Sequence, residues 1–223
     1  MTASDPKKSG ARGEDEKTLA DALAVGRAAY RSAPGSPRVI LPDVSPAVLK
    51  DAVARMGGAG YELNMDTVRA VRCWLAGGGL WLSGEVGTGK TWFFDCLARV
   101  ARDMGRPPVV ILGLGEVAHN SLDEIAAFLG GHGSADLVLD DVGREPVFNE
   151  YGRRFELLPW ILECRRGAFG VTHFTTNMTR AAIAERYGYG CLDRIREMSR
   201  QFVLRGQSRR VDGGFSFGAR RHV

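Results

Sequence analysis

Residues Gly84 to Thr91, GEVGTGKT, set three glycines, a lysine and a terminal hydroxyl within one short stretch. Glycines let consecutive backbone N–H groups turn inward onto an anion, and a helix starting near Lys90 points its positive end at the same place. The spacing fits GxxxxGK[ST], in which the lysine reaches the β and γ phosphates of a nucleotide and the following hydroxyl ligates Mg²⁺. Gly84, Glu85, Val86, Gly87, Thr88, Gly89, Lys90, Thr91 and Trp92 are therefore the expected phosphate-binding residues, with Thr91 also a metal ligand. The lysine is telling. Only five of the 30 Lys and Arg residues are lysines, and Lys7, Lys8 and Lys17 are spent near the N-terminus. A chain that otherwise writes its cations as arginine keeps a compact ammonium where one must fit between phosphate oxygens.

Two more apolar runs end in polar groups. In ADLVLDD, Asp140 and Asp141 close a strand-like segment, and the carboxyl ends of parallel strands are where α/β sheets bind ligands. Paired aspartates often do no more than end a strand, but here a phosphate cradle lies upstream in the same sheet. Asp140 is expected in the Mg²⁺ shell, and Asp141 is expected to orient or deprotonate an attacking water. In FGVTHFTTN, Asn177 ends the run, and its amide can bond both that water and a terminal phosphate.

Regular elements must hold these groups. GLWLS reads as a strand leading into the glycine loop, and KTWFFDCLARVARDMG as an amphipathic helix leaving it. PPVVILG, ADLVLDD, FGVTHFTTN and QFVLRG read as further strands, with SLDEIAAFLGG, TRAAIAERYG and LDRIREMSR as helices between them. YGRRFELLPWILECRRG reads as one helix kinked at Pro159. Upstream, SPAVLKDAVARMGG is a helix capped by Ser45 and stopped at Gly57, and NMDTVRAVRCWLAGG is a second. Strands alternating with helices predict an α/β fold whose parallel sheet is covered on both faces. Residues 1–40 are expected to form a flexible arm, with a short helix in EKTLADALAVGRAAYR, and residues 41–223 a single domain with a basic tail.

The composition is that of a soluble globular protein, 44% apolar and 25% charged. No apolar run approaches the roughly 18–20 residues that span a bilayer, and the N-terminus lacks the apolar core of a secretion signal. The four cysteines form no CxxC pair and sit in apolar patterns, so reduced thiols and a cytoplasmic location, with no membrane contact, are expected. Of the net charge of +4, the last 30 residues carry +6, through eight arginines against Glu197 and Asp212. A basic end on a near-neutral body suits an anionic partner such as nucleic acid.

Taken together, GEVGTGKT, LVLDDVGREP, NEYG, HFTTN and RYGYGCLDRIREMSRQFVLRGQSRR resemble the AAA+ ATPases of the DnaC/IstB type, helicase loaders and transposition helpers, over residues 60–211. The last run is the most specific, matching a Tyr-Gly…Asp-Arg…Gly-x-Ser-x-Arg ending through Tyr187, Gly188, Asp193, Arg194, Gly206, Ser208 and Arg210. The resemblance implies a P-loop NTPase of the AAA+ kind without a C-terminal helical lid, hydrolysing ATP with Mg²⁺ as a homo-oligomer. It implies that Arg194 is an arginine finger reaching a neighbouring subunit's site, and Arg210 a sensor-2-like arginine facing the γ-phosphate. Its clients would be a replicative helicase, with single-stranded DNA, or alternatively a transposase. A protein that binds ATP with little turnover and uses it as a switch is a further alternative. Two departures stand out. No Lys or Arg lies between Arg106 and Arg144, so any DNA affinity is expected from the basic C-terminal end, and the family's N-terminal helicase-binding domain is expected to be reduced to an arm and one or two helices.

Overall fold

The computed structural model describes residues 43–150 and 153–205. The residues expected to form an arm with a short helix, 1–40, and Gly206, Ser208 and Arg210 lie outside the described residues.

Helix α1 (Pro46–Gly58) begins as expected, with the Ser45 side chain accepting from the Val48 N–H and Pro46 in the first turn. It runs one residue past the expected stop at Gly57, and the chain turns at Gly60. Helix α2 (Met65–Leu75) starts with a reciprocal cap between Asn64 and Thr67. Then come β1 (Gly79–Ser83), α3 (Lys90–Asp103), β2 (Val109–Gly113), a single 3₁₀ turn (Val117–His119), α4 (Leu122–Gly131) and β3 (Asp136–Val142). The chain continues through β4 (Phe148–Glu150), β5 (Arg153–Phe155), α5 (Leu157–Arg165), β6 (Thr172–Thr176), α6 (Arg180–Tyr187), α7 (Tyr189–Met198) and β7 (Ser199–Val203).

The expected kinked helix over YGRRFELLPWILECRRG is not formed. Its first part is the second strand of an antiparallel hairpin, Phe148 opposite Phe155 and Asn149 opposite Arg154. Both phenylalanines pack on the core beneath, ring centroids 6.1 Å apart, and that burial overrides the helical pattern. The helix starts only at Leu157, which puts Pro159 in the first turn, where a missing N–H costs nothing and no kink follows.

Five strands form one parallel sheet in the order β2-β3-β6-β1-β7. β6 is threaded between β1, which leads into the glycine loop, and β3, which carries the aspartates. Alternate residues serve two cores: Leu80, Leu82 and Val138 join α1, α2 and α3 on one face, while Trp81, Leu137, Leu139 and Phe174 join α4 to α7 on the other. Burial on both faces is why these strands read as unbroken apolar runs. The four cysteines are unpaired, and burial pushes the Cys191 thiol up to about 12. Among the described residues no helix is long and apolar enough to cross a membrane.

Candidate phosphate-binding site

The loop from Gly84 to Gly89 joins the end of β1 to the start of α3. Gly84 must be a glycine, because a Cβ there would stand 2.3 Å from the Leu204 carbonyl oxygen. Gly89 caps α3 in the left-handed region, φ 87°, and brings no side-chain capping bond to that helix start. The positive end of α3 therefore faces the loop.

Lys90 is 6% exposed, and its ammonium lies inside the loop. It donates to the carbonyls of Gly84 (2.9 Å) and Glu85 (2.8 Å), and to Asn177 Oδ1 at 2.6 Å. Thr88 closes the loop from within, its hydroxyl donating to the Glu85 carbonyl at 2.9 Å. The Thr91 hydroxyl donates to Asp140, 3.0 Å from both carboxylate oxygens. Glu85 lends only its carbonyl to these bonds, and Val86 is 53% exposed. The Trp92 side chain lies apart. Its ring packs on the turn between α1 and α2, with Nε1 3.5 Å from the Gly60 carbonyl and Arg99 stacked over it, so the side chain is not part of the cluster.

Asp140 is buried. Burial raises its carboxyl above the usual carboxylate range, Asp141 and Asp95 add to the rise, and hydrogen bonds from Thr175 and Thr91 oppose it. Thr175 is the residue the sequence reading passed over. Its hydroxyl donates to Asp140 at 2.6 Å and accepts the Asp141 N–H at 2.8 Å, locking β6 to the acidic end of β3. The signal was present in HFTTN, but only the pairing of β6 with β3 shows which threonine faces the aspartates.

Between Leu139 and Val142 the register with β6 slips: Asp140 and Asp141 together oppose Thr175, and Asp141 takes φ 58°. Adjacent residues on a regular strand point to opposite faces. The bulge instead brings both aspartates to the lining of one cleft of about 410 Å³, which Gly113, Gly115, Glu116 and Arg144 complete. Arg144 pairs with Asp141 at 3.1 Å. Neither Glu116 nor Arg144 was among the expected site residues: Glu116 belongs to no recognisable spacing, and Arg144 lies in LVLDDVGREP without a role that the motif assigns.

Arg194 is not brought to this cluster. It lies on α7 with its guanidinium 2.8 Å from Glu163 of α5 and 23% of the side chain exposed. Arg210, the other expected arginine, is outside the described residues. The groups present fit a nucleotide with a divalent cation: a helix start without a capping side chain, an ammonium within the loop, and a hydroxyl against a carboxylate whose raised pKa a cation would reverse.

No family model matches the chain, and no curated protein matches it. Among solved structures it is similar to DnaI, at 22% identity over 78% of this chain and 94% of that one, with a TM-score of 0.49. AMPPCP-bound DnaA from Aquifex aeolicus is similar at 13% identity, over 65% of this chain and 48% of that one, with a TM-score of 0.50. Cdc6p from Pyrobaculum aerophilum is similar at 19% identity over 75% of this chain and 48% of that one, with a TM-score of 0.40. The chain thus spans about half the length of the DnaA chain. The five-stranded parallel sheet, its glycine loop after β1 and the acidic end of β3 give this chain the fold of the AAA+ P-loop ATPases.

Proposed function

We propose that this protein binds ATP with Mg²⁺ at Gly84–Thr91, hydrolyses it, and works as a homo-oligomeric, cytoplasmic loader of a replicative helicase. The observation that carries the ATPase part is the meeting of three strand ends on one loop. Lys90 reaches Asn177 beyond β6, and Thr91 reaches Asp140 of β3. In this reading Lys90 and the N–H groups opening α3 bind the phosphates, and Thr91 with Asp140 would hold the cation. Mg²⁺ supplies positive charge to the phosphate oxygens when bound. Asp141 takes or orients the proton of the attacking water, and Asn177 reports the terminal phosphate to β6. Arg194 completes a neighbouring subunit's site, and Arg210 faces the γ-phosphate. Residues 41–223 are one ATPase domain preceded by an arm. The client rests on the DnaC/IstB resemblance of the motifs, and contact with single-stranded DNA on the basic C-terminal end.

A nucleotide-dependent switch with little turnover is a second reading with its own support. The Asp141 carboxylate is occupied by Arg144, and Arg194 is occupied by Glu163. A lone subunit would bind ATP well before it could hydrolyse it quickly.

Thermal melting tests the binding. ATP with Mg²⁺ at 100 times its dissociation constant should stabilise the protein by about 2.7 kcal/mol, roughly 5–10 °C for a chain this size. Lys90→Ala should remove the shift. An equal shift in the variant would put the nucleotide elsewhere.

A further inference from the structure

The cleft beyond Asp140 has an uneven charge. Glu116, Asp140 and Asp141 are the acidic residues among its lining, Gly113 lies under the Glu116 side chain, and Arg144 is the cation among its lining residues. A phosphate extending past Lys90 into this space would meet mostly negative groups unless Arg144 received it.

Arg144 is placed with care that an ordinary surface arginine does not need. Its backbone N–H closes a turn onto the Asp141 carbonyl at 3.0 Å. The next residue, Glu145, is 2% exposed, and its carboxylate accepts from the Gly143 N–H at 2.9 Å and from the Tyr187 hydroxyl. Arg186 clamps the other side, donating to the carbonyls of Gly143 (2.5 Å) and Glu145 (2.7 Å) and to Glu156. Two consecutive residues at the end of α6 thus fix the loop on both sides of Arg144, while the Arg144 side chain itself stays 63% exposed at the cleft. Its contact with Asp141 spans three residues in sequence, and an exposed pair of that kind contributes little to stability. Stability does not account for the anchoring. A guanidinium held at this spot can fork onto two phosphate oxygens, and doing so would release Asp141.

We propose that Arg144 reads the terminal phosphate from the protein's own side: it leaves Asp141 for the γ-phosphate of a nucleoside triphosphate and stays on Asp141 when a diphosphate is bound. Asp141 is then free to act on water only when a third phosphate is present. This rests on the nucleotide reading of the Gly84–Thr91 loop.

The test is calorimetric binding of ADP and of AMPPNP, which is not hydrolysed, each with Mg²⁺, to the full-length wild type, Arg144→Gln and Arg144→Lys. Arg144→Gln should weaken AMPPNP about 10- to 100-fold, the range for losing a charge-assisted phosphate contact, and leave ADP within about twofold. Unchanged ADP binding also shows that the variant is folded. Arg144→Lys, which keeps the charge but not the fork, should fall between the two. Asp141→Asn should tighten AMPPNP several-fold by removing the competing partner. Loss of both ligands alike in Arg144→Gln, or of neither, overturns the role of Arg144 while leaving the loop's assignment standing. If the wild type binds neither nucleotide, the nucleotide reading falls and takes Arg144 with it.

Discussion

Asp140 illustrates how a residue proposed to hold a cation can weaken the fold that carries it. Its carboxyl is held above the usual range by burial first, with Asp141 and Asp95 contributing, against the bonds from Thr175 and Thr91. A group that keeps its proton more tightly folded than unfolded stabilises the fold at low pH, and that contribution is lost as pH rises through the folded value. Above that value the buried charge opposes folding. Asp140→Asn is expected to raise the melting temperature of the nucleotide-free protein at pH 7, with the gain shrinking as pH is lowered toward about 4. The same substitution should erase the part of the ATP stabilisation that depends on Mg²⁺. Melting curves across pH, with and without EDTA, check both halves. A lower melting temperature at pH 7 would mean that the carboxylate's bonds to Thr91 and Thr175 outweigh its burial.

At the scale of elements, the two ends of the sheet are held differently. The carboxyl ends carry the glycine loop, the bulge and the cleft. The amino ends are tied by Arg165, the last residue of α5, which is 3% exposed. Its guanidinium donates to the carbonyls of His132 (3.0 Å), Ala135 (3.0 Å) and Gly170 (3.1 Å), and to the Thr172 hydroxyl (3.2 Å). It thereby joins α5 to the starts of β3 and β6. Burial pushes its pKa down, and Asp136 holds it up. Arg165→Met fills similar space but leaves those carbonyls without a donor. It should cost about 3 kcal/mol, or roughly 6–12 °C of melting temperature. Because the site is at the other end of the strands, the shift caused by ATP should survive in the variant. Calorimetry gives both quantities in one experiment. An unchanged melting temperature would show that water replaces the guanidinium without loss.

At the scale of the whole molecule the question is whether one chain holds a complete site. Lys90, Thr91, Asp140, Asp141 and Asn177 converge, but Arg194 sits on Glu163, in a contact without hydrogen-bond geometry. If Arg194 serves a neighbouring subunit, Arg194→Ala should bind ATP normally and lose turnover by about 10³- to 10⁵-fold. Mixing it with Lys90→Ala should restore activity at those boundaries where an intact loop meets an intact arginine. Glu163→Gln should loosen Arg194 and leave turnover equal or higher. Full activity in a dilute, monomeric sample, or a mixture that stays inactive despite co-assembly, would reduce Arg194 to a surface ion pair.

How much of this was legible beforehand depended on whether the determining forces were local. The glycine loop, the cap at Ser45, the strand ADLVLDD and the α/β class follow from spacing, capping and burial on two faces, which act over a few residues. So Lys90, Thr91, Asp140 and Asn177 could be named from the chain, and the fold they imply is the one observed. The hairpin at Phe148–Phe155 could not, since a helical pattern was overridden by burial against a core assembled from distant segments. Nor could the insertion of β6 between β1 and β3, which selects Thr175 as the partner of Asp140. The bulge at Asp141 belongs to the same class. On its own, a pair of aspartates in a strand points to opposite faces. Only the mismatch of register against β6 turns both into one cleft, beside an arginine whose position is set by Tyr187 and Arg186, more than 40 residues further along the chain.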